Sequence, residues 1–323
     1  MSVFIPVLAG AVVFLFLRWL LARPNGAMPL DHPNERSLHA APVPRIGGAA
    51  MCAVMLPLIG FCWSPPLAVI AGALAVLSYY DDRGGLPVTI RFAGHIAAAV
   101  LLVLIVDTSL HWAVLGLIVL AAAWMINLYN FMDGSDGLAG GMALIGFGTY
   151  AAAAARAGIE PIALASATVA ACAAAFLYFN WHPARVFMGD AGSIPLGFLA
   201  AAIGFAGWEA GTWPWWFPPL VFSAFIVDAT VTLLRRMLNR ERFWAAHRSH
   251  YYQRLVQLGW GHRKTAQAEL GLMLACTVTA LATIGSPPQT QAIVLVIMAA
   301  LYVLLGLTIG RLWKNHVAIN EAS

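Results

Sequence analysis

The sequence predicts an all-α, polytopic integral membrane protein with about eleven transmembrane helices, and three observations carry that expectation. Of its 323 residues 61% are hydrophobic and only 10% are charged, far more apolar side chain than a soluble domain of this size buries. Apolar runs of about 20 residues, the length a helix needs to cross a hydrocarbon core of roughly 30 Å, recur through the whole chain. The alternating period of a β-barrel is absent, so helices must satisfy the backbone inside lipid.

The runs lie near 2–22, 46–63, 65–80, 91–106, 110–128, 138–155, 161–179, 193–208, 216–234, 266–284 and 290–310. The first has no basic residue ahead of it, and Arg18 and Arg23 follow its apolar stretch, so it reads as a retained anchor with the N-terminus outside. Placing every cation on this ladder puts seventeen of the 18 Lys and Arg on one face and only Arg156 on the other. The positive-inside rule makes the crowded face cytoplasmic, and the C-terminus with it. The pI near 9.0 is then an orientation signal and not one for nucleic acid, although the same face attracts anionic lipid and anionic substrate. Without a repeat, a low-complexity tail or a soluble domain, residues 1–323 read as one transmembrane domain in which 235–264 forms a cytoplasmic, histidine-containing loop. Cys52, Cys62, Cys172 and Cys276 stand singly in or beside apolar spans, without ligand spacing, and read as packing residues.

Five polar stretches, "DHPNERSLHAAPVPRIGG", "DDRGGLPVTIR", "NLYNFMDGSDGLAGG", "NWHPARVFMGDAGS" and "AHRSHYYQRL", all fall on the cytoplasmic face, while the external connections are short. Asp81, Asp82, Asp133, Asp136 and Asp190 bring five carboxylates to the membrane surface, where hard oxygen ligands suit Mg²⁺. Arg36, Arg45, Arg185, Arg248, His39, His247 and His250 add cations and donors that suit phosphate oxygens. Carboxylates, a divalent metal and cations together describe phosphoryl transfer. Taken singly, each cluster has a plainer reading: a solvated Asp-Asp turn, a glycine turn capping a helix with Asp190 or Ser193, a solvated basic helix at "HRSH". Asp228, inside the ninth span, is either functional or a structural acid paired with a neighbouring helix. "WPWWF", Trp213 to Phe217, reads as an external interfacial belt.

In order and spacing these five stretches resemble the polyprenyl-phosphate N-acetylhexosamine-1-phosphate transferase superfamily, over most of the chain. "HRSHYYQRL" and "RSLHAAPVPRIGG" are most similar to its O-antigen-initiating and UDP-GlcNAc:undecaprenyl-phosphate branch. The resemblance implies transfer of an N-acetylhexosamine 1-phosphate, of GlcNAc, GalNAc or 6-deoxy type, from a UDP-sugar to undecaprenyl phosphate. UMP is released, with Mg²⁺ (Mn²⁺ as substitute) as cofactor. It implies a bacterial inner-membrane enzyme working at the cytoplasmic face in O-antigen or related cell-envelope glycan synthesis, with room for a homodimer and no nucleic-acid partner.

Carried over by motif, Asp81 and Asp82 are the acidic pair, one of them a base or orienting group for the lipid phosphate, and Asp190 is the Mg²⁺ ligand. Asn130 and Asp133 line nucleotide and sugar, Asp136 approaches the uracil and Phe187 stacks on it. His247 and His250, with Arg248, hold the pyrophosphate, and Arg45 and Asn180 join the substrate-binding group. Two departures stand out: Arg83 followed by Gly84-Gly85 replaces the translocase branch's lysine, and the split His247/His250 pair replaces its histidine triplet, which argues against a MurNAc-pentapeptide donor. Bulky Phe243, Trp244, Tyr251 and Tyr252 around that pair point the same way. A transporter or flippase of lipid-linked intermediates is the rival; it predicts acids at mid-membrane and two related halves, whereas the acids here cluster at one face. A CDP-alcohol phosphotransferase would need a longer aspartate series than Asp133 and Asp136.

Overall fold

A computed structural model describes residues 4–23, 29–31, 42–106, 108–242 and 247–322, with the side chains of 83 and 320–322 outside that description. Arg36, His39, Phe243 and Trp244 therefore lie outside the described residues. Helices cover each of the expected runs: α1 Phe4–Leu21, α2 Gly47–Cys62, α3 Pro65–Gly84, α4 Val88–Ile105, α5 Trp112–Phe131, α6 Leu138–Ala157, α7 Glu160–Asn180, α8 Asp190–Glu209, α9 Phe217–Val221, α10 Ser223–Leu238, α11 Tyr251–Leu255, α12 Gly261–Thr283 and α13 Pro288–Ala322. Eight helical stretches among the described residues are long and apolar enough to cross a membrane. Two short strands, β1 Leu30–Asp31 and β2 Val43–Pro44, pair antiparallel ahead of α2.

The protein is an all-α, polytopic membrane protein built around α8. Its most apolar 18-residue window is 83% buried, against 6% for α13, so α8 is the protein-facing centre and α13 an outer, lipid-facing helix. Glycines let the central helices meet closely. A Cβ on Gly48 of α2 would lie 2.3 Å from the Gly192 Cα of α8, so any side chain at either position forces the two helices apart. Exposed Leu8 and Leu15 on α1, Leu104 on α4, Leu117 and Leu120 on α5 and Val296 and Leu304 on α13 form the apolar perimeter that lipid covers.

Four differences from the sequence expectation have physical causes. The run at 216–234 is two helices, divided at Phe222 between α9 and α10. The expected 235–264 loop is largely helical, because α10 runs on to Leu238, α11 occupies 251–255 and α12 begins at Gly261. α13 continues to Ala322, past 310, carrying Arg311 and Lys314 on a helix whose long cationic stems reach out of the apolar zone. The expected aromatic belt is not a belt. Trp213, Trp216 and Phe217 are buried and only Trp215 is exposed. The Trp213 ring occupies the space left by Gly207, where a Cβ would lie 2.0 Å from it, stacks on Tyr150 at 4.9 Å and donates to the Gly204 carbonyl at 3.0 Å.

Candidate active site

The segment entering α2 and the loop entering α8 run side by side. Gly47 and Gly48 N–H groups donate to the Phe187 and Met188 carbonyls, both at 2.9 Å, and Phe187 N–H donates to Pro44 at 2.8 Å. This pairing places Arg45 against the start of α8. Gly189 holds φ at 73°, and a Cβ there would meet the Arg45 side chain at 2.8 Å, so the turn into α8 needs glycine for both reasons. Arg45 then donates to Asp190 and pairs with Asp82 at 3.3 Å, joining β2, α3 and α8 in one ionic cluster. Asp133, between α5 and α6, completes it and accepts from the Gly189 N–H.

Three carboxylates and one guanidinium leave an excess of negative charge. Burial, and then the nearness of Asp190, pushes Asp82 up to about 6 despite the opposing pull of Arg45. Burial also raises Asp133 well above the usual carboxylate range, with Arg45 pulling it back and Asp190 adding to the rise. Although burial alone would lower Arg45, Asp190 and Asp82 raise it, and it stays a cation. Such a site gains by binding further positive charge.

The expected site residues divide into two groups. Asp82, Asp133, Asp190 and Arg45 form the cluster, and Asn130 lies beside it, its Nδ2 donating to Ser193 Oγ at 3.1 Å in the first turn of α8. Others hold the walls. Asp81 faces away from Arg45, accepting from the Leu86 N–H at 2.6 Å and from Arg91 at 2.8 Å. Asn180 is buried with both ends of its amide engaged, Oδ1 accepting from Gly137 N–H at 3.0 Å and Nδ2 donating to the Val186 carbonyl at 2.9 Å, so it ties two loops. Asp136 is buried, its Oδ2 2.7 Å from His182 Nδ1 and accepting from the Ala184 N–H at 3.1 Å. Phe187 contributes its backbone to the pairing with β2. Arg185 does not join the cluster; it stacks 4.9 Å over Phe179 and donates to the Tyr178 carbonyl.

The histidine segment is held by Asp228. One oxygen accepts from the Tyr251 N–H at 2.8 Å, the other from the Tyr252 N–H at 3.0 Å, and His250 Nδ1 lies 3.3 Å away. Asp228 thus pairs with a neighbouring helix, as its structural reading expects, and does so beside His250, a candidate site residue. Tyr252 carries the segment to the aspartate loop, its hydroxyl donating to the Phe131 carbonyl at 3.2 Å. His250 is buried, and among the described residues no direct contact joins His247, Arg248 or His250 to the Arg45 cluster. Burial, then the neighbouring His250 and Arg236, lowers His247 to about 4, so it is a neutral imidazole at pH 7.

Several neighbours were not singled out from sequence. Arg91 pairs with Asp81, and His182 and His262 stack at 5.5 Å beside Asp136 and Ser135. His182 stood in a quoted motif and could have been found there; His262 could not, because its contact with Ser135 spans 127 positions.

A sequence profile of glycosyl transferase family 4 matches residues 65–207, which carry Asp82, Asp133 and Asp190. A Mycolicibacterium smegmatis protein named "Decaprenyl-phosphate N-acetylglucosaminephosphotransferase" is 32% identical over 311 residues, covering 79% of this chain and 75% of the relative. The chain belongs to the polyprenyl-phosphate N-acetylhexosamine-1-phosphate transferase superfamily. Within that family a Bacillus subtilis "Probable undecaprenyl-phosphate N-acetylglucosaminyl 1-phosphate transferase" is 31% identical over 255 residues, 72% of this chain and 71% of its own. The Escherichia coli K12 "Undecaprenyl-phosphate alpha-N-acetylglucosaminyl 1-phosphate transferase" is 27% identical over 336 residues, 94% of this chain and 89% of its own.

Proposed function

We propose that the chain transfers N-acetylglucosamine 1-phosphate from UDP-GlcNAc to undecaprenyl phosphate at the cytoplasmic face of a bacterial inner membrane, initiating O-antigen or a related envelope glycan. The observation that supports this best is the Arg45–Asp82–Asp190 cluster, with Asp133, at one end of a membrane-spanning bundle. An oxygen of the lipid phosphate attacks the sugar-bearing phosphorus. The bond from that phosphorus to the bridging oxygen breaks, and UMP leaves with that oxygen. Asp82 orients the incoming lipid phosphate, Arg45 draws phosphate oxygens toward the carboxylates, and Asn130 and Asp133 face the donor.

The donor set suits Mg²⁺ in a particular way. Among the described residues no three acid, His or Cys side chains form a ready cage. Mg²⁺ is commonly held by one or two carboxylates with substrate phosphates and water completing its shell, and Asp190 with Asp82 or Asp133 supplies that number. When bound, the ion would neutralise charge developing on the transferred phosphoryl group.

The donor is tested by UMP release with undecaprenyl phosphate and Mg²⁺, comparing UDP-GlcNAc, UDP-GalNAc and UDP-FucNAc with UDP-MurNAc-pentapeptide. UDP-GlcNAc should be turned over fastest and the pentapeptide donor least; preference for the last would overturn the donor assignment. Orientation is tested separately by thiol labelling of intact cells in a background lacking native cysteines. Exposed Gln289, before the start of α13's apolar stretch, should label as Cys with an impermeant reagent, whereas exposed Arg242, beyond α10, should not. The reverse pattern would place the site outside.

A further inference from the structure

A cationic cleft lies beside the Arg45 cluster, and none of that cluster's side chains lines it. A cleft of about 530 Å³ opens between the last turn of α1 at Arg18 and Leu21, strand β2 at Val43, and the end of α7 with its following loop at Phe179, Ala184 and Arg185. Neither Asp82, Asp133, Asp190 nor Arg45 lines it, and among the described residues no carboxylate does. Among the described residues Arg18 and Arg185 have no acidic partner, so the cleft gathers two uncompensated guanidinium groups. Arg185 is already ordered: it donates to the Tyr178 carbonyl at 3.1 Å and lies 5.1 Å over the Tyr178 ring and 4.9 Å over that of Phe179. A planar fork held in this way loses little freedom when it takes a phosphate.

We propose that this cleft binds the phosphate of an anionic phospholipid headgroup. The lipid source is favoured over a soluble phosphate by the walls, since Leu21 and Phe179 are apolar and α1 presents exposed Leu15 about one turn before Arg18. Cations at the polar end of a spanning helix meet lipid phosphates at that depth. The cleft also touches the supports of the catalytic cluster. Val43 and Pro44 lead directly into Arg45, and Pro44 accepts from the Phe187 N–H at 2.8 Å in the loop that runs from Arg185 to Asp190. A headgroup held here braces both strands that set the Arg45–Asp190 pair.

The test measures unfolding temperature of the purified protein in neutral detergent during titration with dioleoylphosphatidylglycerol, dioleoylphosphatidylcholine or inorganic phosphate. Only the anionic lipid should give a saturable rise. Arg18→Gln and Arg185→Gln should each weaken its apparent affinity about fivefold, and the double variant should lose the saturable rise. Arg45→Gln, at the substrate cluster, should keep it, which separates this site from the acceptor's. Because Arg18 is exposed and has no acidic partner among the described residues, Arg18→Glu should fold normally and abolish the rise, whatever becomes of the double variant. An undiminished response in Arg18→Glu, or an equal response to phosphatidylcholine, overturns the proposal; an equal response to inorganic phosphate overturns its lipid source.

Discussion

Asp190→Ala should abolish UMP release, a loss on the order of a thousandfold or more, while the helices stay packed. Asp190 is the partner through which Arg45 is drawn to α8, and it stands at the first turn of that helix, where a carboxylate also meets the positive end of the helix dipole. Its removal takes away the expected metal ligand and the anchor of Arg45 together. Asp190→Asn is the more conservative test, keeping size and one acceptor oxygen. Asp82→Asn should fall nearly as far, but Asp81→Asn should keep most of its activity and lose about 1 kcal/mol of stability at most, since it gives up a partly exposed pair with Arg91. Turnover close to normal in Asp190→Asn and Asp190→Ala, with unchanged unfolding temperature, would remove Asp190 from the site.

Asp228→Ala should be the most damaging substitution outside the cluster. It leaves the N–H groups of Tyr251 and Tyr252 without their acceptors, each costing about 1–3 kcal/mol when buried. It also strips Thr232 and His250 of a partner, at 3.1 and 3.3 Å. Tyr252 is the link to the aspartate loop, and its hydroxyl fills the space over Gly134, where a Cβ would lie 2.1 Å from it. Loosening it should therefore lower transfer as well as unfolding temperature. A cysteine at Ser249 should react with a soluble thiol reagent markedly faster in Asp228→Ala than in the parent, and Asp228→Asn, retaining one acceptor oxygen, should fall between. Equal labelling rates and unchanged activity would mean that the cap has no part in ordering the histidine segment.

Much of this was legible before any tertiary structure. Lipid acts as a solvent on each segment separately, so apolar run length alone placed helices over all the expected ranges, and the motif spacing carried the family. The break at Phe222 was not legible, because no Gly or Pro falls at 220–224 to mark it and the division goes with packing of α9 against α8 and α12. The aromatic run at Trp213 misled for a related reason: a tryptophan belt and a buried tryptophan stack have the same local sequence, and the space over Gly207 decides between them.

What the sequence by itself determined is the membrane class, the helix positions, the gathering of acids and cations at one end of the bundle, and membership in the transferase superfamily. These follow from hydropathy, charge and motif, which are properties of short stretches. Only the tertiary structure decided which acid of each group faces the site. Neighbours on a helix point about 100° apart, so Asp81 and Asp82 meet different cations, Arg91 ten residues on and Arg45 from the strand before α2. Asp190 meets that same arginine across 145 positions, Asn180 ties two loops and Asp228 holds the start of α11. Each choice rests on helix phase and on the close approach of distant elements, which glycines at 48, 189 and 192 permit and which no local pattern encodes.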